Sequence, residues 1–153
     1  MHQPAQSLRI VISSEARLLN LLRCVVRYRA QGAGIAASEV DCMAMAIDEA
    51  ASNIIRHTYG NRPDGRLALE VLTFPDHFEF LLEDSGPKLP PGAWKRRDLN
   101  EVRPGGLGTY FINCFMDGIS YDEDFPRGNR LRLVKYFSSA GSVNDESASP
   151  ERE

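Results

Sequence analysis

The stretch Ala46–His57 reads A-I-D-E-A-A-S-N-I-I-R-H, and it sets a carboxylate, Glu49, four residues ahead of a carboxamide, Asn53. In a helix that spacing stacks the two side chains on one face, one turn apart. Such a pair can hold a hydroxyl, a water and a divalent cation in line. Glu49 would accept the proton of an attacking hydroxyl. Asn53 would lend a carbonyl oxygen to Mg²⁺, which keeps most of its waters and takes only one or two protein ligands. Asn is also a poor helix-interior residue, because its side chain competes for backbone hydrogen bonds, so its place here asks for a reason. The plain alternative is an exposed polar face with incidental spacing.

Two later segments add to this pair. Asp84 ends an apolar run and precedes Ser85-Gly86-Pro87. A carboxylate there can accept a hydrogen bond from the exocyclic amine of adenine, whereas guanine would turn a carbonyl oxygen against it. Gly86 would let the backbone approach the ring; the alternative is an ordinary turn after a strand. Arg103-Pro104-Gly105-Gly106-Leu107-Gly108 leads into an apolar stretch. Glycines ahead of a helix leave backbone N–H groups free to face phosphate oxygens. The segment is neither a P-loop nor a dinucleotide fingerprint, since it lacks the Gly-Lys-Ser/Thr ending and the G-x-G-x-x-G spacing. A flexible hinge is its alternative.

The elements that must position these residues follow from periodicity and turn signals. Leu8–Ile12 alternates as a strand. Ser13-Ser14-Glu15 predicts a helix start, followed by Leu18, Leu19, Leu22, Val25 and Val26 at helical spacing and an end at Gln31-Gly32-Ala33-Gly34. Ser38 is expected to open a second helix, with Asp41 in its first turn and an apolar face through Val40, Met43, Ala44, Ile47, Ala50, Ala51 and Ile54. Gly60–Gly65 is a dense turn signal. Arg66–Thr73 and His77–Glu83 read as a hairpin around Pro75-Asp76. The polar, Pro-rich stretch 87–104 lies between the two glycine motifs, where a nucleotide lid would sit. Gly108–Met116 predicts a helix, and Gly118–Asp122 with Asn129–Phe137 a last hairpin. Helices come in blocks rather than after every strand. That order implies an α+β fold: a two-layer sandwich with a mixed, mostly antiparallel sheet and helices on one face.

Composition narrows the class. The 153 residues are 42% hydrophobic and 25% charged, ordinary for a globular protein of one domain. The division read from the sequence is a loose N-terminus at 1–7, a folded unit at 8–137 and a disordered acidic tail at 138–153. The net charge of −3 resides in that tail: Asp145–Glu153 holds four acids and one arginine, leaving 17 acids and 17 bases elsewhere. No basic footprint suggests direct nucleic-acid binding. No apolar run has the length of a membrane span, and no leader-like start is present, so a cytoplasmic protein is expected. Cys24, Cys42 and Cys114 are an odd, scattered set, expected to be reduced and buried.

In order and context the three motifs resemble the nucleotide-binding boxes of the GHKL ATPase superfamily, which includes gyrase, histidine-kinase and mismatch-repair ATPase domains. The nearer resemblance is to the stand-alone bacterial anti-sigma-factor serine kinases. It runs through Asp48–Gly60, Glu83–Pro87 and Arg103–Met116, and ends in the strand pair with Gly128-Asn129-Arg130-Leu131-Arg132-Leu133-Val134. The resemblance implies ATP and Mg²⁺ as cofactors, Glu49 as catalytic base and Asn53 as metal ligand. It further implies Asp84 as the adenine-reading carboxylate, Gly86 beneath the base, and Gly105, Gly106, Leu107 and Gly108 around the phosphates. The implied activity is phosphorylation of a small anti-sigma-factor antagonist together with sequestration of a sigma factor, often as a homodimer. Many members carry a second glycine two residues after Gly86, where this chain has Lys88: either the hinge is stiffer or Lys88 reaches a phosphate. A rival reading is a nucleotide-gated protein-binding regulator without useful kinase activity, acting on a sigma factor or another effector.

Overall fold

A computed structural model of the chain describes residues 3–91 and 107–137. The chain runs β1 (Gln6–Ser13), α1 (Leu19–Gly32), α2 (Ala37–Asn53), β2 (Arg66–Thr73), β3 (His77–Asp84), α3 (Leu107–Phe115), β4 (Gly118–Tyr121) and β5 (Asn129–Tyr136). A 3₁₀ turn, Ala16–Leu18, precedes α1, and a π turn, Ile54–Thr58, continues α2. The five strands form one sheet in the order β1-β2-β3-β5-β4. Every pairing among the described strands is antiparallel. The architecture is therefore the expected α+β class. β5 lies inside β4, so it pairs on one side with β3 and on the other with its hairpin partner.

Strand alternation sorts residues between the two faces of the sheet. Leu67, Leu69, Val71, Phe78, Phe80, Leu82, Leu131 and Leu133 point inward and are buried with Leu22 and Val26 of α1, Met43, Ala44, Ile47 and Ala51 of α2, and Ile112 of α3. Burying a large apolar side chain contributes about 1.5–3 kcal/mol, so this layer dominates stability. α2 packs against both α1 and α3. All seven apolar positions read from the α2 periodicity are buried.

The opposite face carries polar residues in an ion-pair ladder. Arg9 Nη2 reaches Glu83 Oε2 at 2.7 Å, crossing β2, whose residue opposite Glu83 is the small Ala68. Arg130 Nη2 meets Glu83 Oε1 at 2.9 Å, and Arg132 Nε binds Glu79 Oε2 at 2.9 Å.

Local expectations need correction at three places. Ser14 does not cap α1. Its hydroxyl donates to the Arg62 carbonyl and accepts from the Gly65 N–H at 2.9 Å, pinning the 60–65 turn to the end of β1. Ser38 lies inside the first turn of α2, whose N-cap is Ala36, and no side chain caps that end. The cysteines are not buried: Cys24 and Cys114 are exposed and Cys42 is half-buried. Cys24 is two residues from both Leu22 and Val26, so the helical repeat turns it away from the core those two enter.

Candidate functional site

The site grows from α2 and the end of β3. Ala-rich sequence favours α-helix, and α2 runs without interruption to Asn53, its last α-helical residue. Glu49 and Asn53 lie one turn apart, both half-buried, between Ala50 and Ala51 on the core side and solvent on the other. The unusual Asn thus stands where the α-helix passes into the π turn. Arg56 Nη2 approaches Asn53 Oδ1 at 3.5 Å, a long, exposed contact that leaves the carbonyl oxygen open to exchange for a cation. On the flank of this helix Arg23 of α1 binds Asp48 at 2.5 Å, holding α1 to the turn that bears Glu49.

A π turn holds more residues per turn than an α-helix and is found at functional positions. Here it carries Thr58 and Tyr59 onto the end of β3. Tyr59 N–H bonds the Ile54 carbonyl, five residues back, at 3.3 Å. The methyl of Thr58 packs under Gly86 so closely that a Cβ on residue 86 would lie 2.1 Å from Thr58 Cγ2. Space, not backbone conformation, demands glycine there. The structure thereby brings the Asp84-Ser85-Gly86 turn, through Gly86, against the π turn that continues the helix bearing Glu49 and Asn53.

Asp84 is the last residue of β3, points to the inner face and is 6% exposed. Its Oδ1 accepts the Gly86 N–H at 2.9 Å and the Asn129 Nδ2 at 3.1 Å. Burial pushes its carboxyl above the ordinary aspartate range, partly offset by the Asn129 amide and the Gly86 and Asn129 backbone N–H groups. Among the described residues no cation pairs with it. The phenol of Tyr121 on β4, itself half-buried, is pushed up to about 12 by burial and by the Asp84 charge. A buried carboxylate whose protein partners are neutral, beside a glycine with its floor already filled, suits the exocyclic amine of adenine. The residues present therefore fit the nucleotide that the motifs imply.

Asn129 is a residue that sequence reasoning missed. It is buried, stands directly across the sheet from Asp84, and uses its whole amide. Nδ2 donates to Asp84 and, at 2.9 Å, to the Pro87 carbonyl; Oδ1 accepts the Leu89 N–H at 2.8 Å. One side chain thus fixes both the carboxylate and the chain leaving it. In the sequence Gly128-Asn129 reads as a hairpin turn, and nothing local distinguishes it. Gly128 adds a second constraint: its φ is +80°, and a Cβ there would fall 1.8 Å from the Asp84 carbonyl oxygen. Lys88 donates to the Phe125 carbonyl at 2.6 Å, an anchor for the start of the 87–104 stretch that agrees with the stiffer-hinge alternative. A cavity of about 230 Å³ lies beside this anchor, lined in part by Leu89, Pro90, Tyr121 and Asn129.

Gly105 and Gly106 lie outside the described residues, as do most of the 87–104 stretch and the segment 138–153. Leu107 opens α3 and Gly108 is its second residue. No helix among the described residues is long and apolar enough to cross a membrane.

A five-stranded antiparallel sheet with helices packed on one face has the α+β architecture that the histidine-kinase-like resemblance implies. The profile of the histidine kinase-like ATPase domain matches residues 12–135, and the chain belongs to that family. Over most of its length it is similar to bacterial serine-protein kinases named RsbW. It is 26% identical to one from Bacillus cereus over 153 residues, covering 95% of this chain and 94% of that one. It is 23% identical to another from Halalkalibacterium halodurans, covering 90% and 86%. Among solved structures, the RsbU and RsbW domains of Rv1364c from Mycobacterium tuberculosis superpose with a TM-score of 0.60 at 15% identity. That match covers 86% of this chain and 32% of the other, so the likeness is one of fold over about a third of that protein.

Proposed function

We propose that this chain is an ATP- and Mg²⁺-dependent serine kinase of the anti-sigma-factor type, acting in the cytoplasm on a small antagonist protein and binding a sigma factor. The observation that carries the reading is a buried Asp84, with no cationic partner among the described residues, heading a turn whose Gly86 packs on the π turn that continues the helix of Glu49 and Asn53. When bound, Mg·ATP supplies the phosphoryl group and the charge that holds it. In this reading Asp84 and Gly86 seat the adenine, and Asn53 offers its amide oxygen to the metal. Gly105, Gly106, Leu107 and Gly108 would lend backbone N–H groups to the phosphates. Glu49 takes the proton of the attacking serine hydroxyl. Phosphoryl transfer of this kind is largely positioning and charge neutralisation, so few side chains need to act chemically. A homodimer belongs to the same proposal.

The test uses purified protein, labelled ATP and the antagonist-like proteins of the same genome. Wild type should label one of them on serine. Glu49→Ala should still bind ATP while transfer falls about 10²–10⁴-fold, the usual worth of a positioned base. Asn53→Ala should lose magnesium dependence as well as rate. Transfer at the wild-type rate by Glu49→Ala would discard the base assignment and favour nucleotide-gated binding.

A further inference from the structure

We infer that Tyr59 is a positioning residue of this site, whose hydroxyl sets the register between the helix bearing Glu49 and Asn53 and the turn bearing Asp84 and Gly86. The inference rests on the nucleotide reading of Asp84 and adds to it how the two halves of the site are held together.

Tyr59 is buried, 6% exposed, and follows the π turn six residues after Asn53. Its hydroxyl donates to the Arg66 carbonyl at 2.5 Å and accepts the Ser85 N–H at 2.8 Å. The register of β2 with β3 explains why those two groups matter. Thr73 stands opposite Phe78 and the pairing ends at Leu67 opposite Asp84. The next rung would join Arg66 to Ser85. Tyr59 places its oxygen between the carbonyl and the N–H that this rung would unite. The hydroxyl thus substitutes for the rung, ends the β2–β3 ladder at Asp84, and leaves Ser85-Gly86 free to turn over Thr58.

The ring is held in place from behind. A Cβ on residue 65 would lie 2.5 Å from Tyr59 Cδ1 and Cε1, so Gly65 is the residue that admits the ring. Gly65 is itself fixed through its N–H to Ser14 Oγ and through its carbonyl, which accepts the Ser14 N–H at 3.0 Å. Thr58 touches Gly86 and Tyr59 holds Ser85, so the last residue of the π turn and the one after it meet two consecutive residues of the Asp84 turn. Without the hydroxyl, Arg66 and Ser85 can close toward a direct rung, which moves the backbone on either side of the base-reading carboxylate.

The experiment measures affinity for Mg·ATP and Mg·GTP by calorimetry, with thermal melting in parallel, for wild type, Tyr59→Phe and Gly65→Ala. Tyr59→Phe keeps the ring and removes only the oxygen. Gly65→Ala keeps the oxygen and displaces the ring, and serves if Tyr59→Phe does not fold. Either variant should weaken ATP binding about tenfold and lower the preference for ATP over GTP by a similar factor. Amide hydrogen exchange at Ser85 should change in Tyr59→Phe. A lower melting temperature with unchanged ATP affinity and unchanged base preference would make Tyr59 merely structural and overturn the inference. If wild type binds ATP with an Asp84-dependent preference while both variants match it, this inference alone fails. If wild type binds no Mg·ATP, the nucleotide reading fails and takes the inference with it.

Discussion

Glu83 and Asp84 are neighbours on β3, and strand alternation sends one to each face of the sheet. On the open face, burial pushes Glu83 upward, but hydrogen bonds from Arg9 and Arg130 outweigh it and hold the carboxyl below the ordinary glutamate range. On the helical face, burial prevails and Asp84 rises, because its partners among the described residues are a neutral amide and two backbone N–H groups. The same functional group one residue apart is thus locked by cations on one side and, among the described residues, held only by neutral donors on the other. Cationic partners consume a carboxylate's capacity for a ligand; neutral donors aim it and leave its charge unspent.

The sharpest way to break this contrast is Asp84→Asn. It should reduce ATP affinity on the order of a hundredfold or more, because an amide puts a donor where the adenine amine needs an acceptor, while the melting temperature holds. Calorimetry showing equal ATP and GTP affinity in the wild type would remove the role assigned to Asp84. Asn129→Ala should come next. It strips a buried carboxylate, a carbonyl and an N–H of one shared partner, and should cost about 1–3 kcal/mol of stability together with ATP affinity. A variant as stable and as tightly binding as wild type would mean Asn129 aims nothing.

Glu83→Gln tests the scaffold half. Both of its arginines reach solvent, at 44% and 32% exposure, so the loss should lie near 1 kcal/mol, well below that for a fully buried pair. ATP affinity should be unaltered. A large fall in affinity would show that the two faces are not independent.

Acidification should separate the two carboxylates in one titration. Glu79 and Glu83 have lowered folded values, Glu79 chiefly through the Arg132 hydrogen bond. Their contribution to stability is therefore complete above the ordinary glutamate pKa and is lost only as pH falls through the lowered values. Asp84 has a raised folded value and behaves oppositely. As pH rises through the window from the ordinary aspartate value to its raised one, ionising it in its buried place removes stability. As pH falls through that raised value, the carboxylate that the proposed adenine contact uses is protonated. ATP binding should accordingly disappear at a higher pH than folding does. Loss of both at one pH, by calorimetry and melting side by side, would contradict the assignment.

The smallest effect is expected from the C-terminal segment. Truncation after Ser139 removes a polar, Ser- and acid-rich stretch. Melting temperature, ATP affinity and kinase rate should be nearly unchanged. A drop in sigma-factor affinity above roughly tenfold, about 1.4 kcal/mol, would instead make the acidic arm part of the partner contact.

The sequence was most legible where function or burial follows a short repeat. The buried stripe of α2, the hairpin of β2 and β3, and the Gly60–Gly65 turn, with Gly60 and Asn61 at positive φ, all follow from spacing and turn chemistry. Caps and thiols were less legible. Ser14 and Ser38 have cap-like chemistry, yet Ser14 was claimed by a partner 48 residues away, and Cys24 was set by helical phase rather than by its apolar neighbours.

By itself, the sequence determined the fold class, the helix that stacks Glu49 on Asn53, and the strand that ends in Asp84, because each depends on residues within a turn or a strand of one another. Only the tertiary structure decided what surrounds Asp84. Asn129 reaches it because β5 pairs with β3, and Thr58 and Tyr59 reach its turn because α2 passes into a π turn. Those contacts join residues 26 to 45 positions apart, and no local preference encodes a hydrogen bond across such a gap. The sheet order and the packing of one layer on the other supply it.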